Sequence, residues 1–144
     1  MVFRRCADAA GIIGALTMNS MNSLKPVLSA TPGLAFAVLV GSRANGTAHA
    51  ESDWDIAVLW DASIDWMESL AAHETLRRAL AASLNVSEER IDLIDLARAN
   101  LAMRANVAEE GIILAGEDSL SWVHFLHRTW RELESFYWEQ AHAA

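Results

Sequence analysis

The chain has 144 residues, of which 53% are hydrophobic, so we expect one domain with a substantial core and no room for a second catalytic domain. Its formal net charge of −8 excludes broad, non-specific binding to DNA or RNA, which requires a basic surface. The single cysteine, Cys6, excludes an internal disulfide and fits a reducing cytoplasm. No apolar run reaches the length of a membrane span, so no membrane contact is expected.

Residues 1–20 are predicted to be a poorly defined extension that precedes a single domain at 21–144. Arg4 and Arg5 before an Ala/Gly/Ile-rich run are weakly similar to a secretory signal, but Asp8 interrupts the run and no convincing cleavage site follows. Met18 and Met21 could each serve as an alternative start. We therefore assign no function to this segment.

From residue 21 onward, short apolar runs alternate with segments of helical periodicity. This order predicts an α/β (α+β) domain with a small mixed sheet flanked by helices and a long C-terminal helix. The predicted elements are a helix over 21–30, a strand over Leu34–Val40, a polar loop over Gly41–Ser52, a strand over Trp54–Trp60, a helix over Asp65–Leu84, a strand over Arg90–Leu96, a helix over 98–110, an edge strand over Ile112–Ala115 and a helix over Ser119–Gln140.

The most informative stretch is Gly41-Ser42, ten further residues, and then Asp53-Trp54-Asp55. Residues two apart on a strand project from the same face, so the two aspartates present adjacent carboxylates. Two such charges side by side are unfavourable unless a cation or a proton lies between them, and Mg²⁺ prefers carboxylate and phosphate oxygens. An isolated Asp-x-Asp pair would be interpreted as a solvated strand end. The ordered set of strand, Gly-Ser, polar loop and Asp-x-Asp favours a metal and phosphate site instead.

The Gly-Ser pair directly follows the first predicted strand and is suited to contact a phosphate. Gly41 lets the backbone approach closely, and turn N–H groups with the Ser42 hydroxyl can hold phosphate oxygens. For Arg43 two roles are predicted, either neutralising the phosphate tail or supporting the loop. Gly41, Ser42 and Arg43 are therefore the candidate nucleotide-binding residues.

The stretch GSRANGTAHAESDWDIAVLW resembles the nucleotidyltransferase superfamily of the DNA polymerase β type, and in particular its minimal members, the antitoxins paired with HEPN-domain toxins. The resemblance implies the nucleotidyltransferase fold for residues 21–144. It also implies a third carboxylate from a neighbouring strand, which RIDLIDL supplies. Asp92 matches the family position, whereas Asp95, of opposite strand parity, is the weaker candidate and is expected to begin the next turn.

The resemblance further implies ATP as substrate and a two-Mg²⁺ site held by Asp53, Asp55 and Asp92, which are the predicted catalytic and metal-binding residues. Asp92 is also a candidate proton acceptor for the incoming hydroxyl. The family often has a second basic residue where this chain has Asn45. Arg98 or Arg104 is the candidate replacement for that missing charge.

The same resemblance implies an antitoxin that transfers AMP to a tyrosine hydroxyl of a separately encoded HEPN ribonuclease toxin and forms a hetero-oligomer with it. The acidic charge suits docking on a basic, RNA-cleaving partner. Two alternatives stay open: a small-molecule nucleotidyltransferase of the antibiotic-modifying kind, and an antitoxin that neutralises its toxin by binding alone. A cytoplasmic location is expected for all three.

Aromatic residues are concentrated in the predicted C-terminal helix. By their type most of them are expected in the core, but together they cover more than one helix face, so part of the set is a candidate partner-binding patch. The set is Trp122, Phe125, Trp130, Phe136, Tyr137 and Trp138.

Overall fold

The computed structural model describes residues 18–143, which form one mixed sheet with helices on both faces. The predicted extension lies outside the described residues except for 18–20, which are helical and continuous with the helix that follows. None of the helices within 18–143 is both long enough and apolar enough to cross a membrane. The elements are α1 (18–29), β1 (Leu34–Val40), α2 (Ser42–Asn45), β2 (Trp54–Trp60), α3 (Trp66–Leu84), β3 (Ile91–Asp95), α4 (Leu101–Glu110), β4 (Ile112–Ala115) and α5 (Leu120–His142).

The sheet has the order β3-β2-β1-β4 and is mixed, as predicted. Strand β1 is antiparallel to both β2 and β4, whereas β2 and β3 run parallel. The start of β2, the start of β3 and the end of β1 therefore meet at one end of the sheet. This end carries the Gly-Ser turn and the Asp-x-Asp pair.

Two apolar cores lie on opposite faces of the sheet because side chains alternate along each strand. On one face, Leu39 and Ile56 pack with residues of α1 and α3, such as Leu24 and Leu80. On the other face, alternate strand residues pack with α4 and α5. The buried members of this second core are Phe36, Val38, Val40, Ala57, Leu96, Val107 and Phe125.

Helix boundaries follow local capping side chains. Asp65 and Ser119 accept hydrogen bonds from backbone N–H groups of the first turns of α3 and α5, so each caps its helix from outside. The helix predicted over 98–110 begins later, at Leu101, because Leu96–Arg98 is a separate 3₁₀ turn and Asn100 caps α4 through Met103 N–H. The prediction of its start was wrong by three residues.

The expectation that the α5 aromatics are mostly core was also wrong. Phe125 is buried and Trp122 half-buried, but the remaining four are exposed. Trp130 lies on the outer face of the covered part of α5, next to buried Thr129, whereas the last three aromatic residues follow the final buried residue of the helix. Their exposed fractions are 40% for Trp130, 44% for Phe136, 62% for Tyr137 and 63% for Trp138.

Candidate active site

The turn between β1 and α2 depends on glycine. Gly41 has φ 73° and ψ −155°, a backbone conformation that is essentially restricted to glycine. A Cβ at this position would also overlap Asp55 Oδ2. Gly41 therefore brings the backbone directly against a predicted metal-binding carboxylate, and Ser42 follows as the first residue of α2.

The sheet register brings the carboxylates of two strands together. In the parallel pairing of β2 with β3, Asp55 lies opposite Asp92. Asp55 shares its strand face with Ala57, and Asp92 shares its face with Ile94, and both of these neighbours pack in the core formed with α4 and α5. The two carboxylates therefore project from the same face, and Asp53, which immediately precedes β2, has the same parity.

The charges of this group are in conflict. The pKa of Asp55 is raised above its ordinary value, first by burial and then by the negative charges of Asp92 and Asp53. A proton or a bound cation would relieve this repulsion. A carboxylate in such surroundings is suited to contact a cation.

Two arginines brace the loop that leads into the Asp-x-Asp pair. Arg43 donates from Nε and Nη2 to the carbonyl of Ser52, at 3.2 Å and 2.7 Å, and its guanidinium lies 4.0 Å from the ring centroid of Trp54. Arg90 donates from Nη2 to the carbonyls of Ala50 and Ser52, at 3.2 Å and 3.4 Å. Of the two roles predicted for Arg43, the structure shows the loop-supporting one.

Arg90 also lies against a candidate metal ligand. Its Nε is 3.5 Å from Asp53 Oδ1. Sequence reasoning missed this residue, because it begins the third strand segment and lies 37 positions from the aspartate that it contacts. Its only signal was the position two residues before Asp92 in a strand predicted to adjoin the site.

Asp92 and Asp95 have different contacts. Asp95 accepts a hydrogen bond from Ala97 N–H and lies 3.9 Å from Arg98, so it begins the 3₁₀ turn after β3. Asp92 is the residue paired with Asp55. The prediction that Asp95 starts the next turn is confirmed.

The candidate replacements for a second basic residue have different surroundings. Asn45 Oδ1 accepts hydrogen bonds from the backbone N–H and hydroxyl of Thr47, so it stabilises the turn after α2. Arg104 is largely buried and pairs with Glu132 between α4 and α5. Arg98 is exposed and lines a cleft of about 600 Å³ that reaches Ile94, two residues after Asp92. Of the two arginines, Arg98 has the accessible charge.

The donor set suits Mg²⁺, although the side chains are not already arranged as a complete coordination shell. Within residues 18–143, no three side chains of the ligating types surround one metal position. Asp53, whose side chain is 59% exposed, is directed towards Arg90 instead. The all-oxygen carboxylate set and the raised pKa of Asp55 fit a divalent cation.

The part of the chain that carries this geometry matches a known protein family. The family model described as polymerase beta, nucleotidyltransferase, matches residues 22–120. The chain belongs to the polymerase β-type nucleotidyltransferase family. The match includes the Gly41 turn, the Asp-x-Asp pair and Asp92, so the residues brought together by the sheet are those of the matched domain.

Relatives within this nucleotidyltransferase family have informative names. The chain is 31% identical over 94 residues to the protein adenylyltransferase MntA of Aphanizomenon flos-aquae, an alignment that covers 63% of each protein. It is also similar to a chain in a crystal structure of a toxin–antitoxin with AMP-PNP, with TM-score 0.64, 29% identity and coverage of 84% of this chain and 93% of that one.

A further solved structure contains a tri-AMPylated HEPN toxin of Shewanella oneidensis in complex with its MNT antitoxin. The similarity has TM-score 0.60 and 25% identity, and covers 87% of this chain and 93% of the other. The chain thus spans less than two thirds of the curated relative's length but nearly all of the structurally similar chains.

Proposed function

We propose that this nucleotidyltransferase is a cytoplasmic antitoxin that transfers AMP from ATP to a tyrosine hydroxyl of a HEPN ribonuclease toxin. The observation that carries the proposal is the pairing of Asp55 with Asp92 on one sheet face, directly beside the Gly41 turn. A HEPN toxin as acceptor is supported by a similar protein named as a protein adenylyltransferase and by a similar structure that holds a tri-AMPylated HEPN toxin. The tyrosine hydroxyl is what the family resemblance implies.

Each residue has a distinct part in the proposed reaction. Asp53, Asp55 and Asp92 would hold Mg²⁺, which neutralises charge on the triphosphate and acidifies the attacking hydroxyl. Gly41 lets the α2 backbone approach the phosphates, and the Ser42 hydroxyl donates to a phosphate oxygen. Asp92 accepts the proton from the tyrosine hydroxyl as its oxygen attacks the α-phosphorus, and pyrophosphate leaves in line.

A protein acceptor suits the architecture better than a small molecule. Small-molecule enzymes of this superfamily usually carry an added helical domain that holds the acceptor, whereas the described part of this chain consists of the sheet and its flanking helices. A folded partner brings its own rigid surface and needs no such domain. The alternative of neutralisation by binding alone is disfavoured by the intact set Ser42, Asp53, Asp55 and Asp92.

The proposal is tested by intact-mass analysis of a co-purified HEPN partner after incubation with this protein, ATP and Mg²⁺. Wild type is expected to add one or more AMP masses to the partner. Asp53→Ala/Asp55→Ala is expected to reduce the rate by roughly a thousandfold or more, because loss of metal-ion catalysis costs several kcal/mol at 1.36 kcal/mol per decade.

The two alternatives give different results in the same assay. A partner that stays unmodified while still binding tightly would contradict the enzymatic proposal and support neutralisation by occlusion. An unmodified partner that does not bind would contradict the toxin as acceptor and direct attention to small molecules. Asp95→Ala is the matched control, because it removes a nearby carboxylate that caps a turn, and it should retain AMP transfer.

A further inference from the structure

The second half of α5 continues an apolar stripe beyond the last residue of the helix that the domain buries. Its buried residues Phe125, Thr129 and Leu133 recur every four positions and face the sheet and α4. After Leu133, every residue through position 143 is exposed, although the helix continues to His142. None of the last ten described residues, 134–143, is therefore buried by the rest of the described structure.

The exposed segment, residues 134–143, keeps the periodicity of a buried face. With 100° per residue, Phe136 and Tyr137 lie within about 60° of the direction of Leu133, so they extend the same stripe. Trp138 lies about 140° from that direction and broadens the apolar surface. Three consecutive aromatic residues, 44% to 63% exposed, thus cover a wide sector of this part of the helix.

Such a segment is expected to require a cover from outside the domain. A projecting helix end of about ten residues has little stability of its own, since isolated helices of this length are marginal in water. Aromatic side chains give large contact area at low entropic cost and are enriched among the residues that dominate binding energy. Both properties point to a helix that is packed by another chain.

Charge indicates which chain covers it. Residues 134–143 contain Glu134 and Glu139 but no lysine or arginine, in a protein of net charge −8. Pairing two copies of the segment would place like charges together, which is unfavourable. A ribonuclease must attract RNA phosphates and therefore has basic surface available for an acidic, aromatic helix.

We propose that residues 134–143 of α5 are the anchor for the HEPN toxin, inserted in an apolar groove with a basic rim. This inference rests on the proposed function but concerns a different surface from the aspartates. Phe136 shares a surface pocket with Leu101, the first residue of α4. Helix α4 follows the C-terminal end of β3, whereas Asp92 lies near the N-terminal end of that strand. The anchor thus binds the partner without contributing to nucleotide chemistry.

The test measures the affinity of the purified HEPN chain for Phe136→Ser/Trp138→Ser and for a chain ending at Glu134. Both changes affect exposed positions, so the melting temperature is expected to stay unchanged. This measurement serves as the check that the variants are folded. Binding should weaken roughly 10- to 100-fold, and the KM for the toxin should rise with kcat nearly unchanged. Mg²⁺-dependent ATP binding should remain at the wild-type level.

Trp66→Ser is the matched control, because Trp66 is 64% exposed, almost the same as Trp138, but lies at the start of α3. It should bind the toxin like wild type. Wild-type affinity in both α5 variants would overturn the anchor, whereas AMP transfer by wild type would still support the proposed function. A wild-type dimer that becomes monomeric in the α5 variants, with toxin binding intact, would instead assign the segment to a second copy and overturn the inference.

Discussion

Asp55 concentrates the electrostatic conflict of the candidate site. Its pKa is raised by burial and by two neighbouring carboxylates, so the folded state favours its protonated form more than the unfolded state does. As pH rises from the unfolded pKa through the raised folded pKa, this residue therefore removes stability, and above that range its charge is a net cost. Asp61, at the other end of β2, has the opposite behaviour, because hydrogen bonds from Ser63 lower its pKa.

Asp55→Asn is expected to raise the melting temperature of the metal-free protein at pH 7, and the gain should shrink as the pH falls through the range where Asp55 protonates. Mg²⁺ at a hundredfold excess over its dissociation constant should stabilise wild type by about 2.7 kcal/mol and the variant much less. Thermal melts with and without Mg²⁺ measure both effects. They should run from about pH 4, near the ordinary pKa of aspartate, to about pH 8.

Asp61→Asn is the control of opposite sign. It removes a carboxylate whose charged form is favoured by the fold, so it should not raise the melting temperature at pH 7. A stabilising effect of equal size in both variants would indicate a general response to lower net charge rather than a local conflict at Asp55.

Between α2 and β2, the eight-residue connection over 46–53 is held by side-chain hydrogen bonds rather than by regular secondary structure. Arg43 and Arg90 converge on the carbonyl of Ser52, and the Ser52 hydroxyl accepts a hydrogen bond from His49 N–H. The backbone just before Asp53 is thereby fixed from two separate elements. The position of the first aspartate thus depends on loop bracing as well as on the strand.

Arg43→Lys separates loop support from phosphate binding. Lysine keeps the charge but loses the planar fork on Ser52 and the stacking on Trp54, so we expect a loss of about 1–2 kcal/mol in unfolding free energy. The KM for ATP should change little. Urea unfolding and steady-state kinetics measure the two quantities, and a large rise in KM with unchanged stability would instead indicate a phosphate contact.

Local elements of this fold were predictable because each carries its own signal. β1, β2 and β4 have the predicted bounds, since each is a short apolar run between turn residues, and α3 and α5 begin next to Asp65 and Ser119 caps. The start of α4 was not predictable in the same way. Two capping residues lie close together in one segment, Asp95 for the 3₁₀ turn and Asn100 for α4. Capping signals alone do not decide between such neighbours.

The site was predictable only to the extent that it follows strand parity and motif spacing. Asp53, Asp55 and the Gly-Ser turn are close in sequence, and parity separates Asp92 from Asp95. The pairing of Asp55 with Asp92 depends on strand order, and the contact of Arg90 with Asp53 depends on that pairing. Long-range register is a property of the packed sheet, so no local pattern specified it.

Across the whole molecule, the candidate active site and the proposed anchor lie towards opposite ends of the sheet. Asp92 is at the start of β3, whereas Phe136 lies near Leu101, after the end of that strand. Three strand residues at about 3.3 Å each place roughly 10 Å of sheet between Asp92 and the end of β3. A partner that occupies both regions at once must present a contact surface that extends beyond its acceptor tyrosine.

This separation predicts that acceptor recognition depends on more than the residues around the tyrosine. A short peptide with the toxin's acceptor tyrosine should be modified with kcat/KM at least about 100-fold below that of the whole toxin, because it cannot use the α5 contact. Phe136→Ser/Trp138→Ser should match wild type on the peptide and be impaired only on the toxin. Rates from intact-mass analysis of both substrates give the comparison. A peptide as good as the toxin would mean that recognition is confined to the aspartate end of the sheet, and an equal loss on both substrates would mean that the α5 residues act on catalysis itself.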